Sequence, residues 1–514
     1  MPMNRRCALR TLAAGVAGAG LARVGSAGAQ TEQDVLRVDP TPRHELSPYL
    51  YMQFMEPLGA TDGSVEAAWD HLGERWRPDV IAATRELAPT LMRWGGIFTD
   101  YYRWREGVGP RKDRPPMLNL LWGGIESNQV GTAEFVDFCR QVAADPLVCV
   151  NFESDGRKRF MEANGSTRTA DAKEAADWVA YCNQEGHPLR SAHGFEQPHR
   201  VGLWQLGNET SYDEGGFDLE TAARKTVEFA KRMREADPTI QLIAWGDQGW
   251  APRMIEVAGE HLQYIAFHHM FDPDDKERPV LRNLEYRKDP DRTWNQLMQA
   301  VQIHERKIQG VRDTLPNEQI PLAMTECHFS IPGRDRCDVL STWAAGVSYA
   351  RMLNVHERHG DVLKIATAAD FCGNRWQVNA VMIPTPEHRG SAFLMPVARV
   401  MGLYRHHCGK EHVSVQANPD GLDVTASRTA DKVMLHVVNT QRTRGVRTQL
   451  DVVGMPIRSG TVFEIAVQPE METTRFDAQA LKPRRKALPA DARWLFPPAS
   501  VSAIELDCGP ESEA

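Results

Sequence analysis

The feature that most constrains the fold is a repeat of pattern. Between Tyr49 and about Tyr404 a short apolar run, a polar loop and an amphipathic stretch follow one another eight times. The apolar runs are 49–55, 91–93, 147–151, 201–206, 240–245, 264–268, 320–325 and 362–368, and the stretches between them include 133–144, 220–236, 294–315 and 338–359. Runs of this length suit buried strands, while Ala222, Val227, Ala230 and Met233 form the stripe of a helix packed on one face. Eight strand-then-helix units predict an α/β chain whose core is a (β/α)8, or TIM, barrel rather than an open doubly wound sheet. At about 44 residues per unit, against roughly 31 in a minimal barrel, the loops must be long. No G-x-G-x-x-G follows the first run, which weakens a nucleotide-binding reading.

From Glu411 onward the helical pattern stops. Segments 412–417, 422–427, 432–439, 447–453, 461–467 and 500–506 are short and alternating, separated by turns such as Asn418-Pro419-Asp420-Gly421. They predict a C-terminal β-sandwich, with the lone alternating run 34–38 completing one of its sheets. The stretch 475–492, basic and broken by proline, reads as a solvated loop. The expected organisation is 1–29 an export signal, 30–47 an N-terminal strand joining the sandwich, 48–405 the barrel and 406–514 the sandwich.

Two of the apolar runs end in a carboxylate. Val201 to Leu206 leads into Gly207-Asn208-Glu209, and Ile320 to Thr325 into Glu326. A lone glutamate among 68 acidic residues is usually a surface residue. These two each close a buried run, on the fourth and seventh strands, at the barrel end where chemistry is placed. A facing pair of carboxyl groups is the minimum equipment for glycoside hydrolysis, one protonating the leaving oxygen and one attacking the anomeric carbon or activating water. Aromatic residues crowd two loops on that face: Tyr101, Tyr102, Trp104 and Trp122 in one, Phe371 and Trp376 in the other. Such rings either pack on the C–H faces of a sugar or fill the loops.

Residues 1–29 carry Arg5-Arg6, an Ala/Gly-rich apolar run and Ala27-Gly28-Ala29, the layout of an export signal of twin-arginine type. A periplasmic or extracellular location follows as an expectation, with no membrane attachment once the signal is removed. Its loss removes four arginines and no acid, taking the formal charge from −8 to −12, which disfavours nucleic acid as a partner. The remaining partner is a carbohydrate substrate, and homo-oligomerisation is left open. Eight cysteines stay in the mature chain with no C-x-x-C pair, so zinc ribbons and disulfide-stapled folds are disfavoured. His268-His269, His356-Glu357-Arg358-His359 and His406-His407-Cys408 lack the H-E-x-x-H spacing of a helical zinc site. All but His268 are read as structural, and neither a metal nor a cofactor is expected.

Longer motifs are recognisable as well: Gln53-Phe54-Met55-Glu56, Arg93-Trp94-Gly95-Gly96, Tyr102-Arg103-Trp104-Arg105-Glu106-Gly107-Val108-Gly109-Pro110, Glu126-Ser127-Asn128-Gln129-Val130-Gly131, Trp178-Val179-Ala180-Tyr181-Cys182-Asn183, Trp204-Gln205-Leu206-Gly207-Asn208-Glu209 and Phe496-Pro497-Pro498-Ala499-Ser500-Val501. Through them the chain resembles glycoside hydrolase family 51, the α-L-arabinofuranosidases, in a clan of retaining (β/α)8 hydrolases, over about Leu46 to Leu506. The resemblance implies an exo-acting α-L-arabinofuranosidase-type enzyme working on polysaccharide side chains by double displacement. Glu209 would be the acid/base and Glu326 the nucleophile; Glu56 and Asn208 would hold sugar hydroxyls, Asn151 would line the pocket, and Arg93, His268, Trp104 and Trp376 would complete the subsite. A related clan glycosidase for another furanoside or pyranoside, or a silent carbohydrate-binding protein, are the alternatives.

The chain departs from the family pattern at Pro57 and Gly95, where His and Pro are usual, at Met270, where Tyr is usual, and at Cys327, where Trp is usual. A thioether cannot donate to Glu326 as a phenol would, so either another donor such as His268 or Tyr264 compensates, or the Glu326 pKa sits higher than in the family. A cysteine in place of a tryptophan wall implies a wider subsite, or one refilled by Phe329 or Trp376. Simple α-L-arabinofuranosides are then expected to be poorer substrates than some other glycoside.

Overall fold

The structure, a computed structural model, describes residues 34–157, 167–212, 215–316, 320–333 and 338–509. Strand β1 (Val35–Glu45) belongs to the C-terminal half of the molecule and is taken up below. Eight parallel strands follow: β2 (Gln53–Met55), β3 (Leu91–Trp94), β4 (Asp145–Val150), β5 (Leu203–Leu206), β6 (Gln241–Trp245), β7 (Tyr264–Phe271), β8 (Leu322–Phe329) and β9 (Leu363–Ile365). Each pairs with the next in order. The ring closes where β9 meets the chain just before β2, with Met52 N donating to Ala366 O at 2.9 Å and Ala366 N to Tyr49 O at 3.0 Å. This is the expected TIM barrel.

Helices α1 (Pro78–Leu87), α2 (Thr132–Val142), α3 (Ala172–Asn183), α4 (Leu219–Ala236), α5 (Ala251–Ala258), α6 (Pro290–Arg312), α7 (Trp343–Arg358) and α8 (Pro396–His406) follow the strands in turn. Several begin where a side-chain oxygen can satisfy an orphan amide. Asp171 accepts from Glu174 N, Asp218 from Thr221 N and Thr342 from Ala345 N. The strands show little polar alternation because both faces are covered, as in all-parallel sheets. Met52, Leu91, Leu147, Leu203, Ile243, Ala266, Ala323 and Ile365 plug the interior, while Met92, Val148, Trp204, Leu242, Phe267 and Met324 pack outward against the helices. Each fully buried side chain of this size contributes roughly 1.5–3 kcal/mol.

After β10 (Asp370–Gly373) and β11 (Asn379–Met382), which extend the barrel sheet beside β2, the chain leaves the barrel through α8. It then forms β12 (Glu411–Ala417), β13 (Leu422–Thr429), β14 (Lys432–Asn439), β15 (Val446–Val452), β16 (Ile457–Ile465), β17 (Arg484–Ala487), β18 (Arg493–Phe496) and β19 (Val501–Cys508). Strand β1 lies between β12, antiparallel to it, and β15, parallel to it. The nine strands curl over their own core of Leu36, Val38, Val413, Leu435, Val437, Leu450, Val462, Phe496 and Ile504, giving the sandwich. Asp423 of β13 takes Arg351, Asn354 and Arg358 of α7, which locks the sandwich to the barrel.

The stretch read as a solvated loop contains β17, an edge strand whose four residues are all exposed. Arg484-Arg485-Lys486-Ala487 carries no apolar alternation, and lysine and arginine on an edge discourage further pairing. Among the described residues the cysteines are free thiols, and no helix is long and apolar enough to cross a membrane.

Candidate active site

A β-bulge aims Glu326. Along the β7/β8 ladder Phe267 pairs with Met324 but His268 pairs with Glu326, so Thr325 is an extra residue on β8. The extra residue changes the phase of the alternation, and both Thr325 and Glu326 face the barrel axis. Thr325 Oγ1 bonds Nε2 of His268 at 2.9 Å. His268 Nδ1 in turn lies 2.9 Å from Glu209 Oε1 and 3.7 Å from Glu326 Oε2.

Glu209 stands on a pinned turn. Gly207 and Glu209 both have positive φ, +70° and +55°. A Cβ on Gly207 would come within 2.3 Å of Asp155 Oδ1, so only glycine fits there. Asp155 accepts from Asn208 N at 3.1 Å and Thr210 Oγ1 at 2.5 Å. Arg157 donates to Glu209 O at 2.6 Å and to Asp100. A left-handed glutamate persists only where its surroundings over-determine it, and these contacts do so.

Arg93, fully buried, ties the two halves together. Nη1 donates to Glu326 Oε1 at 2.7 Å, Nη2 to Asn208 Oδ1 at 2.7 Å, and Nε to Gln205 Oε1 at 3.0 Å. Arg93 therefore supplies the donor to Glu326 for which His268 or Tyr264 is the expected candidate. The Tyr264 side chain begins β7 and packs at the other end of the barrel with Tyr49. Burial raises the Glu326 carboxyl above the ordinary range, opposed by His268 and Arg93 and reinforced by Glu209. Burial holds His268 down at about 4, so its ring is neutral at neutral pH. Glu56 is pushed well up by burial and then by the charge of Glu326, opposed by the Trp122 hydrogen bond and by Arg93. Its carboxyl sits against Gly96, at φ +144°, where a Cβ would come within 2.3 Å of it.

These groups open into a cavity of about 330 Å³ lined by Glu56, Glu209, Met270, Glu326, His328, Asp370, Trp122 and Trp376, among others. The indole rings of Trp122 and Trp376 meet edge to face at 5.4 Å, and Trp122 Nε1 donates to Glu56 at 3.3 Å. His328 and Asp370 are the residues that sequence reasoning missed, 3.5 Å apart on the cavity wall. His328 could have been found, since it stands two residues beyond Glu326 on the same strand face.

Asn151 and Trp104 lie elsewhere. The Asn151 side chain is consumed in holding its own loop, donating to Tyr102 O and Arg168 O and accepting from Ser154 N and Ala170 N. Trp104 is buried against Trp178, 6.0 Å away and parallel, and its Nε1 donates to Glu174 O. Cys327 faces away from the cavity, toward His269 and His304, so it is not a subsite wall. Trp376 lines the cavity, whereas Phe329 packs behind it on Phe271 and Tyr349.

Replacing Arg93 by Met should test the electrostatics. Without the cation the protonated form of Glu326 is favoured, so its pKa moves up and the acid limb of kcat/KM against pH should shift to higher pH. The maximum should fall by about 10²-fold or more, the scale of losing a buried charge contact of roughly 3 kcal/mol. An unmoved acid limb would show that Arg93 does not set the ionisation of Glu326.

A family profile described as "Alpha-L-arabinofuranosidase 1 domain" matches residues 83–288. The chain is 31% identical over 245 residues to an intracellular exo-α-(1→5)-L-arabinofuranosidase of Acetivibrio thermocellus, covering 44% of this chain and 46% of that protein. It is 32% identical over 256 residues to a counterpart of the same description from Bacillus subtilis, covering 46% and 48%. The chain thus matches just under half the length of these curated relatives. Among solved structures, the arabinose complex of an α-L-arabinofuranosidase from Thermotoga maritima aligns with a TM-score of 0.74 at 24% identity, over 92% of this chain and 99% of that one. A family 51 α-L-arabinofuranosidase from Bifidobacterium longum aligns at 0.75 and 20%, over 93% and 100%. At these identities the structures speak for the fold. The chain is similar to the family 51 α-L-arabinofuranosidases, in sequence over less than half its length and in fold over most of it.

The comparisons correct one expectation. Relatives from Acetivibrio thermocellus, Halalkalibacterium halodurans and Bacillus subtilis are named intracellular, which points against the periplasmic or extracellular location read from residues 1–29. That segment itself lies outside the described residues.

Proposed function

We propose that the chain is a retaining exo-glycosidase of the α-L-arabinofuranosidase type, with Glu326 as nucleophile and Glu209 as acid/base. One observation carries the reading. A carboxylate oxygen of Glu209 and one of Glu326 lie within 4.8 Å of each other, with His268 as close to both. Retaining enzymes hold their carboxyl groups about 5–5.5 Å apart, and inverting ones about 6.5–9.5 Å, to admit a water.

In the first step an oxygen of Glu326 attacks the anomeric carbon while Glu209 gives its proton to the glycosidic oxygen, and the aglycone leaves. In the second step Glu209, now a carboxylate, takes a proton from water, which attacks the same carbon and frees Glu326. Arg93 fixes Oε1 of Glu326, leaving Oε2 as the attacking atom. Neutral His268 can accept from protonated Glu209 at Nδ1 or donate to it when ionised, because the Thr325 hydroxyl at its other nitrogen can accept or donate in complement. The Glu56 carboxyl and the orphan Nδ2 of buried Asn208 are placed to bond sugar hydroxyls. A cavity of about 330 Å³ is at the small end for a ligand site, which supports release of single terminal sugars.

The relatives' names make α-L-arabinofuranose the first sugar to test, and a silent binding protein would not need both carboxylates so placed. Of the four departing positions, Pro57, Gly95, Met270 and Cys327, only Met270 lines the cavity, so the case for another furanoside is weaker than the sequence suggests. The experiment is kcat/KM across aryl α-L-arabinofuranosides, galactofuranosides and pyranosides, with the anomer of the first product followed by NMR. The arabinofuranoside should lead, with retention. An inverted first product would sink the mechanism, and a leading pyranoside would sink the substrate.

A further inference from the structure

The bulge that turns Glu326 inward turns Cys327 outward, and in the shifted register Cys327 pairs directly with His269 on the neighbouring strand. The two side chains therefore stand side by side on the outer face of β7 and β8. His304 of α6 packs over them. A nitrogen of His269, a nitrogen of His304 and the Cys327 sulfur all lie within 4.8 Å of one another, in a region closed to solvent.

We propose that these three residues bind one thiophilic d-block cation, zinc(II) or copper(I), behind the catalytic strands. Two imidazoles and a thiolate are the donor set that such ions prefer over magnesium or calcium. Both imidazoles are buried, which disfavours a charged ring and favours the neutral form that a metal requires. The outer partners are also in place, as at established metal sites. His304 Nε2 is held by His356 Nε2 at 2.8 Å, which turns Nδ1 toward the cluster, and the His269 ring stacks on Phe271 at 4.1 Å. The Tyr349 hydroxyl is buried near the thiol.

Without the ion a single proton bridges the facing Nδ1 atoms of His269 and His304, 3.0 Å apart. Tetrahedral bonds of about 2.0–2.1 Å would separate them by roughly 3.3 Å, so the rings need move only a few tenths of an ångström. The thiol must lose its proton when the ion enters. The bridging proton stays on the imidazoles by a tautomer change.

The full-length chain should be produced in cobalt-supplemented medium, so that the ion is present while the chain folds, and purified without chelators. About one cobalt per chain, with a thiolate-to-cobalt charge-transfer band and the strong d–d absorption of a tetrahedral ion, is the expected result. Cys327→Ser should abolish the charge-transfer band. Should that variant fold poorly, the wild-type chain still decides the matter, because its thermal midpoint must fall when the ion is stripped by a chelator and recover with zinc. Cobalt far below one per chain, a band that survives in Cys327→Ser, or a midpoint indifferent to stripping would each overturn the site. These readouts do not depend on glycosidase activity.

Discussion

Glu326→Gln should leave a folded protein that hydrolyses no glycoside, with kcat reduced by about 10⁴-fold or more on activated and natural substrates alike. The reason is that a nucleophile acts in every turnover, whatever the leaving group, and an amide cannot form the glycosyl ester. Glutamine is nearly isosteric, and its carbonyl oxygen can still accept from Arg93 Nη1, which donates to Glu326 Oε1 at 2.7 Å. What is lost is the charge opposite a buried guanidinium. Breaking a buried pair outright costs roughly 3–5 kcal/mol, and the retained hydrogen bond should keep the cost below that. Circular dichroism and thermal melts establish that the variant is folded. Its affinity for a monosaccharide product should survive, since Glu56 and Asn208 remain. Hydrolysis of an aryl glycoside within about 10-fold of wild type would remove Glu326 from the nucleophile's role and with it the double displacement.

The barrel was legible because its signal is repeated eight times and needs only period and length. Glu209 and Glu326 were legible for a related reason: each ends an apolar run, and strand ends on one barrel face converge. Finer placement was not. Strict alternation from Glu326 would have put Thr325 and Cys327 on a common face, and the bulge separates them, Thr325 toward His268 and Cys327 toward His304. A bulge leaves no mark in the sequence of a fully buried strand, because Leu322–Phe329 shows no polar face whose phase could slip. Asn151 was placed by analogy in the pocket, yet a buried asparagine beside a sharp turn can equally serve the backbone. Here it accepts from Ser154 N, with Ser154 and Asp155 both left-handed. Trp104 shows the same limit: an aromatic in a loop can as well pack inward, and it does, on Trp178.

Glu209→Ala should divide substrates by leaving group. Proton transfer from a placed carboxylic acid contributes about 10²–10⁴-fold when the departing oxygen is basic, and little when it is already stable as an anion. Natural saccharides should therefore lose activity by that factor, while the first step on a dinitrophenyl glycoside should be nearly unchanged. The second step needs Glu209 as base toward water for every substrate. With the activated glycoside the glycosyl-enzyme should then accumulate, seen as a burst of phenolate followed by a slow steady state, with a lowered apparent KM. Azide attacks without needing a base, so it should restore turnover and yield a glycosyl azide of the substrate's own configuration. The substitution should not unfold the site. His268, 2.9 Å from Glu209 Oε1, is neutral, its pKa held at about 4 by burial, so removing the carboxyl leaves no unpaired buried cation beside it. Equal losses on the natural and dinitrophenyl substrates, with no burst and no response to azide, would show that Glu209 does not deliver the proton. The search for the acid would then turn to Glu56, whose carboxyl pKa is raised by burial and by the charge of Glu326 on the same cavity wall.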